Sequence, residues 1–170
     1  MEIPITKLLI IDNSIAGGKS TLIAALKEKH PDWTYIKEGV PLDQGHEIIY
    51  LGIAGENMKE FQNLVDLNLY NGYNKFHKKI QKNKKIQEHS PLIAVGDRIW
   101  SSALHFGKYY NIPPNTTTDY LFTHIYNFLK EENVMIYYVF LTGSVDDILN
   151  QIHARNRVVE RHYTREEIKN

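Results

Sequence analysis

The 170-residue sequence contains no cysteine and carries no net charge. Without cysteine, the protein can form neither a disulfide framework nor a metal site with thiolate ligands. Its 20 lysine and arginine residues are balanced by 20 aspartate and glutamate residues. Because the net charge is zero, it provides no strong attraction to nucleic acid or to an anionic membrane. We therefore expect partners of neither kind.

Long apolar stretches are also missing from the sequence. No run approaches the ~18 consecutive apolar residues of a membrane-spanning helix, and the N-terminus does not have the form of a signal peptide. These absences predict a soluble, cytoplasmic protein. The length predicts a single domain over residues 1–170, with enough chain for a proper hydrophobic core.

What the sequence does contain is a phosphate-binding pattern close to its N-terminus. An apolar run at residues 8–11 and an amphipathic segment at 22–29 predict a strand and a helix, and the loop between them ends in Gly-Lys-Ser. Such a loop points backbone N–H groups at phosphate, and it supplies a lysine for the β- and γ-phosphates and a hydroxyl for Mg²⁺. A chance Gly-Lys-Ser is the alternative, which the flanking elements disfavour. The residues predicted to bind ATP here are Asn13, Ser14, Ala16, Gly17, Gly18, Lys19, Ser20 and Thr21.

One position of this loop departs from the usual pattern. The pattern places a glycine five residues before Gly18, where this chain has Asn13. Asparagine is one of the few residues besides glycine that tolerate a positive φ angle. We therefore expect Asn13 to allow the same turn.

The rest of the chain alternates short apolar strands with helices. Further strands are predicted at residues 33–36, 92–95 and 134–141, and helices at 47–87, 100–110, 118–130 and after Ser144. Asn71-Gly72 indicates a possible helix break, Thr118 or Asp119 a helix cap, and Ser144 a second cap. This alternation predicts a parallel sheet in an α/β sandwich, whose ligands bind outside the carboxyl ends of the strands.

Three chemical groups directly follow predicted strands and should share that edge. They are the phosphate loop, Glu38 and the pair Asp97-Arg98. Phosphoryl transfer requires positioning, neutralisation of charge and a residue that takes the proton of the acceptor. Asp97 with Ser20 could hold Mg²⁺, Glu38 could accept the proton, and Arg98 could bind phosphate or Glu38. Taken singly, Glu38 is better explained as a surface carboxylate at a strand end, and Asp97-Arg98 is equally consistent with a surface ion pair.

These residues resemble the deoxynucleoside kinase family, of which thymidylate kinase is a near relative. The resemblance runs over nearly the whole chain in short blocks, at residues 11–22, 37–40, 61–62, 97–102 and 154–157. It implies a phosphate-loop NTPase fold, a three-layer α/β sandwich with a parallel sheet and an arginine-rich lid at about 153–165. In the lid, Arg155 and Arg157 would contact ATP, although a solvated basic face is the plainer explanation of such arginines.

The resemblance also implies a role for each remaining site residue. Lys19, Glu38 and Arg98 would be catalytic, with Glu38 as the general base on the 5′-hydroxyl of the sugar and Arg98 also in contact with the substrate. Metal binding would fall to Ser20 and Asp97, and substrate binding to Tyr50 and Glu160 at the 3′-hydroxyl and Gln62 at the base edge. Leu69, seven residues after Gln62, would form an apolar wall beside the base or belong simply to the core.

The chain also departs from the family in several places. Asn13 and Ala16 stand where the family usually has glycine, and other departures are Gly39, Ile99 and Gln151. The family's usual fifth strand and last helix are not expected before Asn170, which suits a short viral-type enzyme, a truncated chain or a degenerate member equally. The predicted function is transfer of the γ-phosphoryl group of ATP–Mg²⁺ to a deoxynucleoside, preferably a pyrimidine, and the resemblance implies a homodimer. The alternatives are a thymidylate-type nucleotide kinase and a nucleotide-binding protein without turnover.

Overall fold

A computed structural model describes residues 5–13, 17–37, 58–86, 90–99, 116–155, 164 and 166. These ranges contain four strands, β1 (Lys7–Asn13), β2 (Thr34–Ile36), β3 (Ile93–Asp97) and β4 (Met135–Leu141). They also contain four main helices, α1 (Lys19–Lys29), α2 (Met58–Lys85), α3 (Thr116–Glu131) and α4 (Val145–Arg155). All four predicted strands are confirmed to within two residues at each end. The helix predicted at 100–110 lies outside the described residues.

The four strands form one parallel sheet in the order β2-β3-β1-β4. β1 is the central partner, with Ile11 opposite Asp97 on one side and Val139 on the other. Strands buried on both faces need continuous apolar sequence rather than alternation, which explains the apolar run in β1. The parallel sheet predicted from the alternation of strands and helices is confirmed.

The sheet is covered by helices on both faces. Helices α2 and α3 pack over one face, where side chains such as Leu8, Tyr73 and Ile125 are fully buried in a single core cluster. Ile11 and Val95 are buried as well but lie outside this cluster, because successive residues of a strand point to opposite faces. Helix α1 contacts β1 and β3. The result is the predicted three-layer α/β sandwich.

Helix α2 passes through Asn71-Gly72 without interruption, so the break predicted there is wrong. Gly72 is needed for packing instead. A Cβ atom at this position would lie 2.9 Å from Cγ2 of Ile36, so the helix could not approach β2 as closely with any other residue. The favourable contact with the sheet therefore outweighs the cost of about 1 kcal/mol for glycine inside a helix.

The two predicted helix caps have different outcomes. Helix α3 begins at Thr116, before both Thr118 and Asp119, so a cap at either residue is wrong. Ser144 is confirmed, since its Oγ accepts a hydrogen bond of 3.1 Å from the backbone N–H of Asp147 and donates one of 2.6 Å to the Asp147 carboxylate. None of the described helices is long and apolar enough to cross a membrane.

Candidate active site

The carboxyl ends of β1 and β3 bring the phosphate loop next to Asp97 and Arg98. The pairing of Ile11 with Asp97 puts the two strand ends side by side. Directly beyond this pair, the backbone N–H of Arg98 donates a 3.0 Å hydrogen bond to the carbonyl of Ile11. Asp97 and Arg98 are therefore neighbours of the phosphate loop at one edge of the sheet, although they are far from it in the sequence. This is the arrangement that the sequence predicted.

The described part of the phosphate loop depends on two glycines. Gly18 caps the N-terminus of α1 with a φ of 81°, a left-handed conformation that glycine adopts without steric cost. A Cβ atom on Gly17 would lie 2.9 Å from Nδ2 of Asn13, so Gly17 makes room for the side chain of Asn13. Ser20 and Thr21 are exposed in the first turn of α1.

The positive φ angle predicted for Asn13 is wrong. Among the described residues, the only non-glycine positions with a positive φ are Arg98 and Asn133. Asn13 is the last residue of β1 and pairs with Leu141 of β4, so its backbone is extended rather than turned. The chain tolerates asparagine here because Gly17 lacks a side chain, not because asparagine adopts the turn.

Lys19 and Asp97 form an ion pair at the start of α1. Lys19 is only 5 % exposed, and its ammonium group contacts Oδ1 of the Asp97 carboxylate. A buried ammonium group needs such a partner because desolvation is costly. The sequence assigned Lys19 to phosphate and Asp97 to the metal, and the structure brings these two groups together.

The oxygen donors of Ser20 and Asp97 suit a hard divalent cation. Mg²⁺ favours one or two carboxylates, substrate phosphates and several waters rather than a cage of protein ligands. The residues present therefore fit Mg²⁺ bound together with a nucleotide.

Arg98 lies beside a buried carboxylate that the sequence analysis did not single out. Its Nη1 is 3.8 Å from Oδ1 of Asp12, and the Tyr138 hydroxyl donates a 3.1 Å hydrogen bond to Oδ2 of the same carboxylate. Partial burial, and next the hydrogen bond to Asp12, raise the pKa of Tyr138, so the phenol remains a donor. The sequence contained a signal for Asp12, since it is a charged residue directly after the apolar run of β1. Nothing in the sequence connected Tyr138 to it.

Gln62 belongs to a second buried polar cluster, between α2 and α3. Its Nε2 donates a 2.7 Å hydrogen bond to Oδ1 of Asp66, and the Thr118 hydroxyl donates to the other carboxylate oxygen. Asp66 is 1 % exposed, and this burial raises its pKa while the two hydrogen bonds act in the opposite direction. Sequence analysis missed Asp66 because an aspartate in a polar helix carries no local signal of burial.

The other predicted site residues have mixed outcomes. Leu69 is 4 % exposed and belongs to the core cluster, which is the alternative that the sequence left open for it. Contact between Leu69 and a base stays a prediction. Arg155 is the last residue of α4, and its side chain is outside the described part. Also outside the described residues are Ser14, Ala16, Glu38, Tyr50, Arg157 and Glu160.

Comparison with known proteins finds similarity of two kinds, to a family model and to solved structures. A family model described as deoxynucleoside kinase matches residues 9–169. Among solved structures, a deoxyadenosine kinase from M. mycoides with bound dATP is similar with a TM-score of 0.51 and 17% sequence identity, over 96% of this chain and 78% of that chain. At this identity the structural match indicates a shared fold. No curated protein matches the chain significantly.

The buried carboxylate of Asp66 predicts a pH dependence of stability. Because its pKa is raised in the folded chain, the folded state holds this proton at a higher pH than the unfolded state does. The contribution of Asp66 to stability should therefore fall as the pH rises from about 4, the ordinary aspartate value, through the raised pKa. Relative to Asp66→Asn, the wild type should lose stability over that window.

Urea unfolding of both proteins at a series of pH values measures this difference. Asp119→Asn removes an exposed carboxylate from α3 and is the matched control. A stability difference between the wild type and Asp66→Asn that is the same at every pH would contradict the prediction.

Proposed function

The chain belongs to the deoxynucleoside kinase family, and from this premise we propose that it transfers the γ-phosphoryl group of ATP to the 5′-hydroxyl of a pyrimidine deoxynucleoside. That it is an ATP-dependent deoxynucleoside kinase rests on the family match and on the shared fold. The acceptor hydroxyl, the pyrimidine and the residue roles are our proposal. The observation that carries it is the Lys19–Asp97 pair at the N-terminus of α1.

On the donor side, Lys19 and the first turn of α1 would bind the phosphates of ATP. A helix N-terminus offers free backbone N–H groups and a partial positive charge, and the lysine adds a full charge at the same place. In the structure this charge is balanced by Asp97. An entering phosphate group supplies a second negative partner, so Lys19 is already held where the nucleotide needs it.

Mg²⁺ would be held by Ser20 and Asp97 together with phosphate oxygens and water. When bound, this ion neutralises the charge that develops on the transferring phosphoryl group. Asp97 would then bind both cations, because a carboxylate has two oxygens and its Oδ1 contacts the Lys19 ammonium group. Its other oxygen would be the ligand of Mg²⁺. Lys19 thereby orients the carboxylate.

On the acceptor side, the sheet register supports Glu38 as the general base. Ile36, the last residue of β2, pairs with Gly96, and one residue later β3 ends at Asp97. Glu38 follows Ile36 by two positions in the sequence. Because parallel strands end at the same edge of a sheet, Glu38 would reach the edge that carries the phosphate loop. Tyr50 and Glu160 would contact the 3′-hydroxyl. Arg98, held by Asp12, would contact the phosphates from the neighbouring strand.

The proposed pyrimidine preference rests on Gln62 and Leu69. A glutamine amide has a donor and an acceptor and can form two hydrogen bonds with a pyrimidine edge, while a leucine adds no further donor. The M. mycoides enzyme is named for deoxyadenosine, but it shares only 17% of its sequence with this chain. Its base therefore does not decide the base used here.

An acceptor series tests the proposed function directly. ATP consumption would be measured with deoxythymidine, deoxycytidine, deoxyadenosine, deoxyguanosine and dTMP, and without an acceptor. We expect the highest kcat/KM for the two pyrimidine nucleosides. Faster turnover of purines would contradict the pyrimidine preference, and turnover of dTMP alone would identify a nucleotide kinase.

Replacing Lys19 by alanine should lower kcat/KM for ATP by a factor on the order of 10² or more. The substitution removes the charge that meets the donor phosphates, and such groups act mainly in the transition state. Lys27→Ala, an exposed lysine of the same helix, is the matched control and should keep wild-type activity. If Lys19→Ala retains wild-type kcat/KM, the loop is not the donor site.

Replacing Glu38 by glutamine should lower kcat by a factor on the order of 10²–10⁴ while nucleoside binding changes little. Glutamine keeps the shape of the side chain but cannot accept the proton. Steady-state kinetics and equilibrium nucleoside binding, measured on the same preparation, separate the two effects. An unchanged kcat would place the base elsewhere.

A further inference from the structure

The catalytic proposal makes no use of Asp66, although its environment is unusual for a carboxylate. Asp66 lies one helical turn after Gln62 in α2 and is 1 % exposed. Aspartate is almost never fully buried unless it is paired, because desolvation of its charge is costly. Here both carboxylate oxygens are occupied, one by the Gln62 amide and the other by the Thr118 hydroxyl.

This contact removes an ambiguity in Gln62. A free glutamine amide can turn over and exchange the positions of its NH₂ group and its carbonyl oxygen. While Asp66 is ionised, its carboxylate only accepts hydrogen bonds, so the NH₂ group and not the carbonyl oxygen faces it. In the reversed orientation, the Gln62 carbonyl oxygen would stand 2.7 Å from a carboxylate oxygen, with no proton between them. The Thr118 hydroxyl donates to the other carboxylate oxygen, so Oδ1 is left to Gln62.

The four bases fall into two classes according to the order of hydrogen-bond donor and acceptor on the edge that an amide can bind. Cytosine and adenine carry an exocyclic amino group, which donates, next to a ring nitrogen that accepts. Thymine and guanine carry a carbonyl oxygen next to a ring N–H, which is the reverse arrangement. An amide that turns freely can bind both classes. One that is held in a single orientation cannot bind both equally well.

We propose that Asp66 is a positioning residue that holds the Gln62 amide in one orientation and thereby selects amino-bearing bases, cytosine over thymine and adenine over guanine. The inference rests on the proposed contact of Gln62 with the base edge. With its NH₂ group engaged by Asp66, Gln62 offers its carbonyl oxygen to an amino group and its second N–H to the ring nitrogen. The negative charge of Asp66, one turn away, favours an amino group over a carbonyl oxygen as neighbour.

The competing explanation is that Asp66 only connects α2 to α3 through Thr118. A structural role of this kind would change stability and overall activity, but it would affect all four nucleosides alike. The ratio of kcat/KM between bases therefore distinguishes the two roles. Two ratios are informative, deoxycytidine to deoxythymidine and deoxyadenosine to deoxyguanosine, because each compares an amino with an oxo base in the same ring class.

The experiment measures both ratios in the wild type, Asp66→Asn and Thr118→Val. We expect wild-type ratios of about ten or more, the effect of one mismatched hydrogen bond at a buried edge. Asp66→Asn has nearly the same shape but offers a donor as well as an acceptor, so Gln62 can be held either way and both ratios should move towards one, mainly through KM. Thr118→Val leaves the Gln62–Asp66 hydrogen bond in place and should keep both ratios.

The same measurements separate this inference from the proposed pyrimidine preference. If deoxyadenosine is used faster than deoxycytidine, the pyrimidine preference fails while the amino-to-oxo ratios still test Asp66. Wild-type ratios below one, or ratios unchanged in Asp66→Asn, would overturn the inference. Equilibrium binding of the four nucleosides supplies the same ratios without turnover.

Should Asp66→Asn not fold, a second variant tests the same inference. The double variant Asp66→Leu/Thr118→Val replaces the buried polar groups by apolar ones and should also abolish the discrimination between amino and oxo bases.

Discussion

The parallel pairing of β1 with β3 is the constraint on which the described site depends. With Ile11 opposite Asp97, the strand that leads into the phosphate loop ends level with the strand that carries the acidic residue. A shift of one residue would send alternate side chains to the opposite face and separate Lys19 from Asp97. The register is kept by burial on both sides, since Ile11 and Ala94 are fully buried and Ile10 is 1 % exposed. Packing of apolar residues thus positions the charges.

The charged groups of the candidate site, and the Gln62 amide in the cluster between α2 and α3, are held in pairs rather than presented singly. Lys19 contacts Asp97, Arg98 lies beside Asp12, and Gln62 is bonded to Asp66. Pairing offsets the cost of removing polar groups from water, and it also fixes where each group points before a ligand arrives. Such preorganisation is what phosphoryl transfer requires, because the protein contributes mainly position and compensation of charge.

The close approaches in the structure show how the departures from the usual motif are accommodated. The asparagine at position 13 is compatible with the loop because Gly17 leaves space for its side chain. Gly72, which suggested a helix break, instead allows α2 to pack against Ile36. In both cases the sequence drew attention to the right residue but suggested the wrong explanation. What explains each residue is a steric contact that the local pattern does not show, of Asn13 with Gly17 and of Gly72 with Ile36.

The sequence by itself determined the elements and the chemistry of the phosphate loop. An apolar run, a glycine-containing turn and an amphipathic segment are local patterns, and so is the serine that caps α4. Only the tertiary structure decided which polar groups become partners. The hydrogen bonds of Asp66 with Thr118, of Lys19 with Asp97 and of Tyr138 with Asp12 join residues 52, 78 and 126 positions apart. Such pairs are produced by strand register and helix packing, which depend on the burial of the whole core and are not encoded in any short stretch of sequence.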